Sequence, residues 1–86
     1  MRKSVYSPES ALLARVISDA RKRAGVHQAD LAHRLGMDQT TISNIERGQR
    51  RLDVVEFYLI MREIESDSIA IFSELVREWD NMRDSY

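Results

Sequence analysis

One stretch of twenty residues, QADLAHRLGMDQTTISNIER at positions 28–47, decides the fold. Its apolar side chains recur at the spacing of two short helices that face a common core: Leu31, Leu35, Met37, Ile42 and Ile45. Ala32 is small enough for two helices to cross closely, and Gly36 can take the positive φ that ends the first helix. A helical hairpin in any protein could show part of this pattern, but the full set in one window predicts a helix-turn-helix.

The rest of the chain also has the pattern of helices, and we expect five of them with no strands. The first should begin at Ser7 and Pro8, a capping residue followed by proline. Asp38 is a candidate N-cap of the third helix, and Asp53 with Glu56 has the spacing of a capping box for the fourth. The predicted helices span about 8–24, 28–35, 39–47, 54–64 and 68–82, and the first three each stop at a glycine. The prediction is an all-α single domain at 1–86, with a core at 8–64 and a C-terminal segment at 67–82.

The third predicted helix has two chemically different faces. At roughly 100° per residue, Ile42 and Ile45 fall on one side, where they can dock in the core. The opposite side carries short polar side chains and one arginine, namely Gln39, Thr40, Ser43, Asn44 and Arg47. Such side chains can read base edges through hydrogen bonds and none is acidic, whereas an ordinary solvent-facing helix usually carries Glu and Lys. The pattern predicts a helix that contacts DNA bases.

The formal net charge of −1 hides an asymmetry between the two halves of the 86-residue chain. Residues 1–51 hold ten Lys or Arg and five Asp or Glu, for a charge of +5. Residues 52–86 hold three Arg and nine Asp or Glu, for a charge of −6. Charge runs are often only solvated faces, but a split of this size favours a basic working surface and an acidic remainder.

Several classes of protein are disfavoured by what the sequence lacks. It has no cysteine, which removes disulfides, cysteine-ligated zinc and thiol catalysis and suits a reducing cytoplasm. It has no apolar run long enough to span a membrane. His27 and His33 are the only histidines, so we expect structural or surface roles for both, with no metal site and no cofactor. Without a phosphate-binding glycine loop or a nucleophile–base pair, we expect no enzymatic activity.

A longer segment, ARKRAGVHQADLAHRLGMDQTTISNIERGQRRLDVVEF at positions 20–57, resembles the phage repressor and Cro-type helix-turn-helix family, also called the xenobiotic response element family. The likeness extends over a five-helix unit at roughly 11–67. It implies double-stranded DNA as the partner, with the third helix in the major groove. Gln39 resembles the family glutamine that pairs with an adenine edge. The other base-reading positions of the family fall on Thr40, Ser43 and Asn44.

The resemblance also implies phosphate contacts and one ion pair. Gln28 resembles the family glutamine that holds a phosphate and braces the recognition helix. Three arginines lie where the family's loop meets the phosphate backbone: Arg47, Arg50 and Arg51. Arg21 and Glu46 resemble a family pair that ties the first helix to the end of the third. Glu46 could instead be an ordinary surface carboxylate, but a carboxylate near DNA needs a neutralising partner.

The chain departs from the family pattern at three places, one of which is the loop after Arg51, where the proline of many members is missing. His27 stands where the family usually caps the second helix with serine or threonine, so either the cap is weaker or the imidazole accepts the bond itself. Glu65 stands where a glycine commonly ends the fourth helix, which leaves the junction with the fifth helix open.

The fourth predicted helix carries too much apolar surface for one side to cover. Seven of the eight residues from Val54 to Met61 are apolar. Such a helix must be covered on more than one side, either by the fifth helix and a second subunit or by full burial within one monomer. The candidate dimer residues are Tyr58, Phe72 and Trp79, of which Phe72 and Trp79 could instead belong to the core.

These observations predict a bacterial or phage regulator of transcription, in particular a repressor, that binds a palindromic operator as a homodimer. Two other functions stay open. An antitoxin would bind DNA and also a protein toxin, and an interaction adaptor would have kept the helix-turn-helix without reading DNA. The polar face of the third helix and the Arg50–Arg51 pair argue against the adaptor.

Overall fold

The computed structural model describes residues 7–84, which form five helices and, within that range, no strand. The helices are α1 (Pro8–Arg23), α2 (Gln28–Leu35), α3 (Gln39–Glu46), α4 (Val54–Glu63) and α5 (Ser68–Asp84). The all-α prediction is confirmed, and each helix starts where the sequence predicts. Arg47 caps α3 rather than ending it, and α5 continues to Asp84 rather than Met82. No described helix is both long and apolar enough to cross a membrane.

Side-chain caps explain where α1 and α4 begin. The Ser7 side chain accepts a hydrogen bond from the Ser10 backbone N–H at 3.1 Å. Asp53 and Glu56 form the predicted capping box. The Glu56 N–H donates to Asp53 Oδ1 at 2.7 Å, and the Asp53 N–H donates to Glu56 Oε1 at 3.1 Å. These bonds satisfy donors that the first turn of each helix would otherwise leave to water.

The N-termini of α2 and α3 lack a side-chain cap. Asp38 has the extended backbone of an N-cap residue, as predicted, but its carboxylate accepts no bond from the first turn of α3. Because Asp38 is exposed, water can satisfy the same backbone donors. At α2, the exposed His27 imidazole accepts no capping bond either. Of the two outcomes expected for His27, the structure therefore shows the weaker cap and not a bond to the imidazole. Both helix ends leave backbone N–H groups open to water or to an anion.

The core lies where α1, α2, α3 and α4 meet, and α5 closes one side against α1 and α4. Five aliphatic side chains at its centre are almost fully buried: Ile17, Leu31, Ile42, Ile60 and Met61. Ala32 is also buried, as the close crossing of α2 and α3 requires, and Gly36 ends α2 with a φ of 67°. One small residue and one residue free to adopt positive φ therefore set the turn between the two helices.

A tight junction joins α4 to α5. Glu65 takes a φ of 55°, a left-handed conformation that glycine adopts more readily. Next to it, the Ser66 N–H donates to the Met61 carbonyl at 2.9 Å. Asp67 Oδ1 accepts from two backbone N–H groups at the start of α5, both at 3.1 Å. Hydrogen bonds on both sides of Glu65 therefore hold the junction in this conformation. Glutamate occupies a position where the family commonly has glycine.

The outer side of α4 and α5 is uncovered. On the inner side, Phe57 and Leu75 are buried. On the outer side seven large side chains are exposed, and we call them the apolar face: Val54, Val55, Tyr58, Leu59, Ile69, Phe72 and Val76. Ile69 and Val54 are the most open, at 79% and 71% exposed. The alternative in which one monomer buries all of the apolar surface of α4 is therefore wrong.

Trp79 belongs to the packing of a single chain. Its indole N–H donates to the Glu9 carbonyl at 3.0 Å, and its ring meets Phe72 edge-on with the centroids 6.0 Å apart. The side chain is half-buried against the core. Of the three dimer candidates, Tyr58 and Phe72 lie on the apolar face, whereas Trp79 joins α5 to α1 because its N–H finds a partner there.

Candidate nucleic-acid interface

The recognition helix α3 is divided into a buried side and a polar side. Ile42 and Ile45 are 1% and 2% exposed and anchor the helix in the core. The four residues predicted to contact bases are exposed or half-buried on the other side, and we call them the reading face: Gln39, Thr40, Ser43 and Asn44. Their helical spacing places these four polar side chains on one accessible side of α3.

An ion pair ties the end of α3 to α1. Arg21 Nε donates to Glu46 Oε2 at 2.6 Å and Nη2 donates to Oε1 at 2.9 Å, so both carboxylate oxygens are engaged. Arg21 Nη1 also donates to the Val26 carbonyl at 2.8 Å, in the turn between α1 and α2. Burial by itself would raise the pKa of Glu46, but the hydrogen bonds from Arg21 and Gln28 outweigh it and hold that pKa below its ordinary value. Glu46 is therefore a charged and partnered group rather than a free surface carboxylate.

The same carboxylate continues into a chain of hydrogen bonds that reaches the reading face. Gln28 Nε2 donates to Glu46 Oε1 at 3.0 Å, and Gln39 Nε2 donates to Gln28 Oε1 at 3.4 Å. We call Arg21, Glu46, Gln28 and Gln39 the bracing network. After its bond to Gln28, the Gln39 amide retains one N–H and its carbonyl oxygen, which are the donor and acceptor that a bidentate contact with an adenine edge uses. The network thus restrains Gln39, the first of the side chains predicted to contact bases.

The three arginines predicted to contact phosphate have different surroundings. The Arg47 guanidinium donates to the Asn44 side-chain oxygen. Arg50 forms a two-bond ion pair with Glu56, at 3.1 and 2.9 Å, and this bonding lowers the pKa of the Glu56 carboxyl. The Arg51 side chain is exposed and makes no hydrogen bond to any residue within 7–84. Arg51 is free to contact a phosphate, whereas Arg50 already has an anionic partner in Glu56.

Besides the bond from Arg47 to Asn44, two contacts of this surface are not predicted from the sequence. One is the bond from Arg21 to the Val26 carbonyl, which depends on how the turn after α1 folds back. The other is the Arg50–Glu56 pair, for which the sequence does carry a signal. The capping box places the Glu56 carboxylate at the start of α4, only six residues beyond Arg50, so the loop brings the two charges close together.

The described part of the chain shows no site for a metal ion. Nowhere in residues 7–84 do three His, Asp or Glu side chains come together as ligands would. His27 and His33 are both exposed, with His27 at the N-cap of α2 and His33 in its last turn.

A recognition helix anchored in the core, an accessible polar reading face and a following loop of arginines define a helix-turn-helix DNA-binding protein. A sequence profile described as helix-turn-helix matches residues 17–67. An XRE-family-like protein from Pseudomonas syringae pv. tomato is 36% identical, with a TM-score of 0.78, and the match covers 87% of this chain and 92% of that one. No curated protein sequence matches the chain.

Two structures of a restriction-modification controller protein, C.Esp1396I, are also similar. The wild-type protein is 33% identical, with a TM-score of 0.74 and coverage of 87% of this chain and 97% of that one. Its tetramer in complex with its natural 35-base-pair operator gives 35% identity, a TM-score of 0.73 and coverage of 84% and 95%. The chain therefore belongs to the XRE family of helix-turn-helix transcription regulators.

Proposed function

We propose that the protein is a transcriptional repressor that binds a palindromic operator as a homodimer, with α3 in the major groove. The observation that carries the proposal is the reading face, whose polar side chains are accessible and whose first member, Gln39, is held by the bracing network. The protein would act by binding alone, without catalysis.

Base recognition would rest on the reading face. Gln39 offers an amide donor and acceptor to an adenine edge, a contact that contributes roughly 1–3 kcal/mol of discrimination against the wrong base. The hydroxyls of Thr40 and Ser43 and the amide of Asn44 can donate or accept, so each can pair with the groups that neighbouring bases present. Because the bracing network restrains Gln39 before DNA arrives, less side-chain freedom is lost on binding.

Contacts to the phosphate backbone would flank the reading face. Gln28 is the first residue of α2, whose N-terminus has no side-chain cap, so a phosphate there would meet both the amide and open backbone N–H groups. Beyond the end of α3, three arginines extend along the loop toward α4: Arg47, Arg50 and Arg51. Such contacts fix the register of the protein on the duplex and carry no direct sequence information.

The apolar face would join the two subunits. Contiguous exposed apolar patches mark protein interaction sites in soluble proteins. A two-fold pair would present its α3 helices to half-sites roughly 34–36 Å apart, about one helical turn. The similar protein C.Esp1396I is a tetramer on its 35-base-pair operator, which supports multimeric binding here. In this arrangement residues 1–86 act as one domain and the segment 67–82 is the dimerisation element.

Occupation of an operator that overlaps a promoter would exclude RNA polymerase, which is the route from DNA binding to repression that needs no further partner. The protein would work in the cytoplasm of a bacterium, where the DNA lies. Because two of the similar structures are of a restriction-modification controller, the promoters of restriction and modification genes are the first places to look for the operator.

Selection of bound duplexes from a random DNA pool tests the proposal. The unaltered protein should enrich a palindromic consensus whose half-sites lie about one helical turn apart. A variant with Gln39, Ser43 and Asn44 all changed to alanine is the matched control, because its backbone contacts remain. It should bind DNA weakly and enrich no consensus. An asymmetric single half-site, or no consensus with the unaltered protein, would contradict the proposal.

A further inference from the structure

A cleft of about 390 Å³ lies between α1 and the end of α3, beside the reading face rather than on it. Its lining carries three cations and two carboxylates. The charged and hydroxyl-bearing side chains are Ser7, Arg15, Ser18, Asp19 and Lys22 from α1 and its N-cap, with Glu46 and Arg47 from the end of α3. None of the contacts described so far uses the side chain of Arg15 or Lys22.

Arg15 and Lys22 lie on the same face of α1. They are seven residues apart, which is two helical turns, or about 10.5 Å along the axis. Both are exposed, and neither side chain makes a hydrogen bond or ion pair to another residue within 7–84. Two free cations therefore line one side of the cleft, where both can face the same bound anion or polyanion.

The carboxylates of the cleft do not neutralise these cations. Glu46 is bound through both oxygens to Arg21, which lies behind it. Asp19 is four residues after Arg15 and three before Lys22, the spacings at which charges on an ordinary solvent-facing helix pair. Within residues 7–84, however, the ion pairs formed are those of Arg21 with Glu46 and of Arg50 with Glu56. The cleft keeps an excess of positive charge.

The cleft is continuous with the proposed DNA surface. Glu46 belongs both to its wall and to the bracing network that holds Gln28 and Gln39. Arg47 lines it and also bonds to Asn44 on the reading face. A duplex seated on α3 would therefore bring one backbone toward α1.

We propose that this cleft binds phosphate groups of the operator backbone, through Arg15 and Lys22 of α1. The inference rests on the proposed function and adds to it a third backbone contact, made by α1 and adjoining that of Arg47. It accounts for basic residues on α1 that have no role in the fold.

The salt dependence of DNA binding tests this inference. Each neutralised phosphate contributes about 0.9 to the slope of log K against log salt concentration. Arg15→Ala and Lys22→Ala should each flatten the slope by about 0.9, and the double variant by about 1.8, equally on operator and random duplex. Arg77→Ala, which removes an exposed cation from α5, is the matched control and should leave the slope unchanged. Asp19→Asn should tighten binding to both duplexes.

The outcomes separate the two proposals. If the unaltered protein binds no duplex, the proposed function fails. If it binds and the double variant, folded by circular dichroism, keeps the full slope, the cleft contact alone is overturned. Arg15→Gln with Lys22→Gln replaces the alanine pair if that pair unfolds. A full slope together with inorganic phosphate shifting the Lys22 amide resonance would assign the cleft to a free anion and would also overturn the inference.

Discussion

The bracing network and the apolar face differ in how far their side chains are restrained by contacts within the chain. The polar side chains near the reading face are tied together by hydrogen bonds that link α1, α2 and α3. The side chains of the apolar face are left uncovered, and Ile69 and Val54 are the most open of them, at 79% and 71% exposed. The polar surface is held in a defined geometry by hydrogen bonds, whereas the apolar face is an exposed hydrocarbon surface.

Under the proposed function, this difference follows from what each surface recognises. Hydrogen bonds to base edges depend on distance and angle, so the side chains that make them gain from being positioned in advance. Hydrophobic association is non-directional and scales with the area removed from water, so it needs no such positioning. The two surfaces also separate by charge, with a formal +5 in residues 1–51 and −6 in residues 52–86.

The largest effect is expected from a charge on the apolar face. Ile69→Glu should leave the monomer folded, since Ile69 is 79% exposed, but should prevent pairing. Operator affinity should then fall by about 10³-fold or more, toward the non-specific level. Light scattering and operator titration measure both effects. Ala70→Glu, an exposed position about 100° around α5, is the control and should remain dimeric. A dimeric Ile69→Glu protein would place the interface elsewhere.

Breaking the bracing network should cost the most stability. Arg21→Ala leaves the Glu46 carboxylate buried without its ion partner, which should lower the free energy of unfolding by roughly 3–5 kcal/mol in urea titration. Arg23→Ala, an exposed change on the same helix, should stay within about 0.5 kcal/mol. Combining Arg21→Met with Glu46→Leu should recover most of the loss. A loss below that of Arg23→Ala would show that the pair adds nothing to the fold.

Removing the first base-reading side chain should affect specificity more than affinity. Gln39→Ala should lose roughly 1–3 kcal/mol of discrimination at one base pair of each half-site. Titration against the operator and its single-base variants measures this, with random duplex as the reference that should hardly change. Equal weakening on every duplex would show that Gln39 only braces α3 or contacts phosphate.

The two loop arginines should differ from each other. Arg51 is free to contact phosphate, so Arg51→Ala should flatten the salt slope by about 0.9. Arg50→Ala should flatten the salt slope less, because the charge of Arg50 is already partly balanced by the Glu56 carboxylate before a phosphate binds. A salt series on the two variants decides the order. The reverse order would show that Arg50 abandons Glu56 completely on DNA.

The smallest effect concerns the junction of α4 and α5. Glu65 takes a φ of 55°, which costs a residue with a side chain roughly 1–2 kcal/mol relative to the right-handed region. Glu65→Gly relieves that cost but also raises the conformational entropy of the unfolded chain. Thermal unfolding should therefore show that the free energy of unfolding rises by about 1 kcal/mol or less. A clear destabilisation would mean that the Glu65 side chain contributes contacts to the junction.

The helix starts are predictable from the sequence because their causes are local. Ser7 caps α1, Asp53 and Glu56 cap α4, and Gly36 ends α2, each through bonds within a few residues. The end of α5 is harder, since no glycine or proline follows Met82 to stop the helix. The side-chain bond expected from Asp38 is absent because an exposed helix end can be served by water as well.

The site is predictable where the family pattern applies and not where distant parts of the chain meet. The helical spacing of α3 identifies the reading face, and the resemblance points to Arg21 and Glu46, which the structure brings together. Trp79 could not be assigned in this way. Its position on the α5 stripe fits a core or an interface equally well, and its partner, the Glu9 carbonyl, is seventy residues away in the sequence.

Under the proposed function, two copies of the chain read one operator through α3. Native mass measurement of the protein–operator complex, combined with protection of guanine N7 from methylation, tests it most directly because N7 lies in the major groove. We expect two chains per palindromic site and two protected patches about one helical turn apart. One chain per site, or bound protein that leaves every guanine N7 of the operator reactive, would contradict the account.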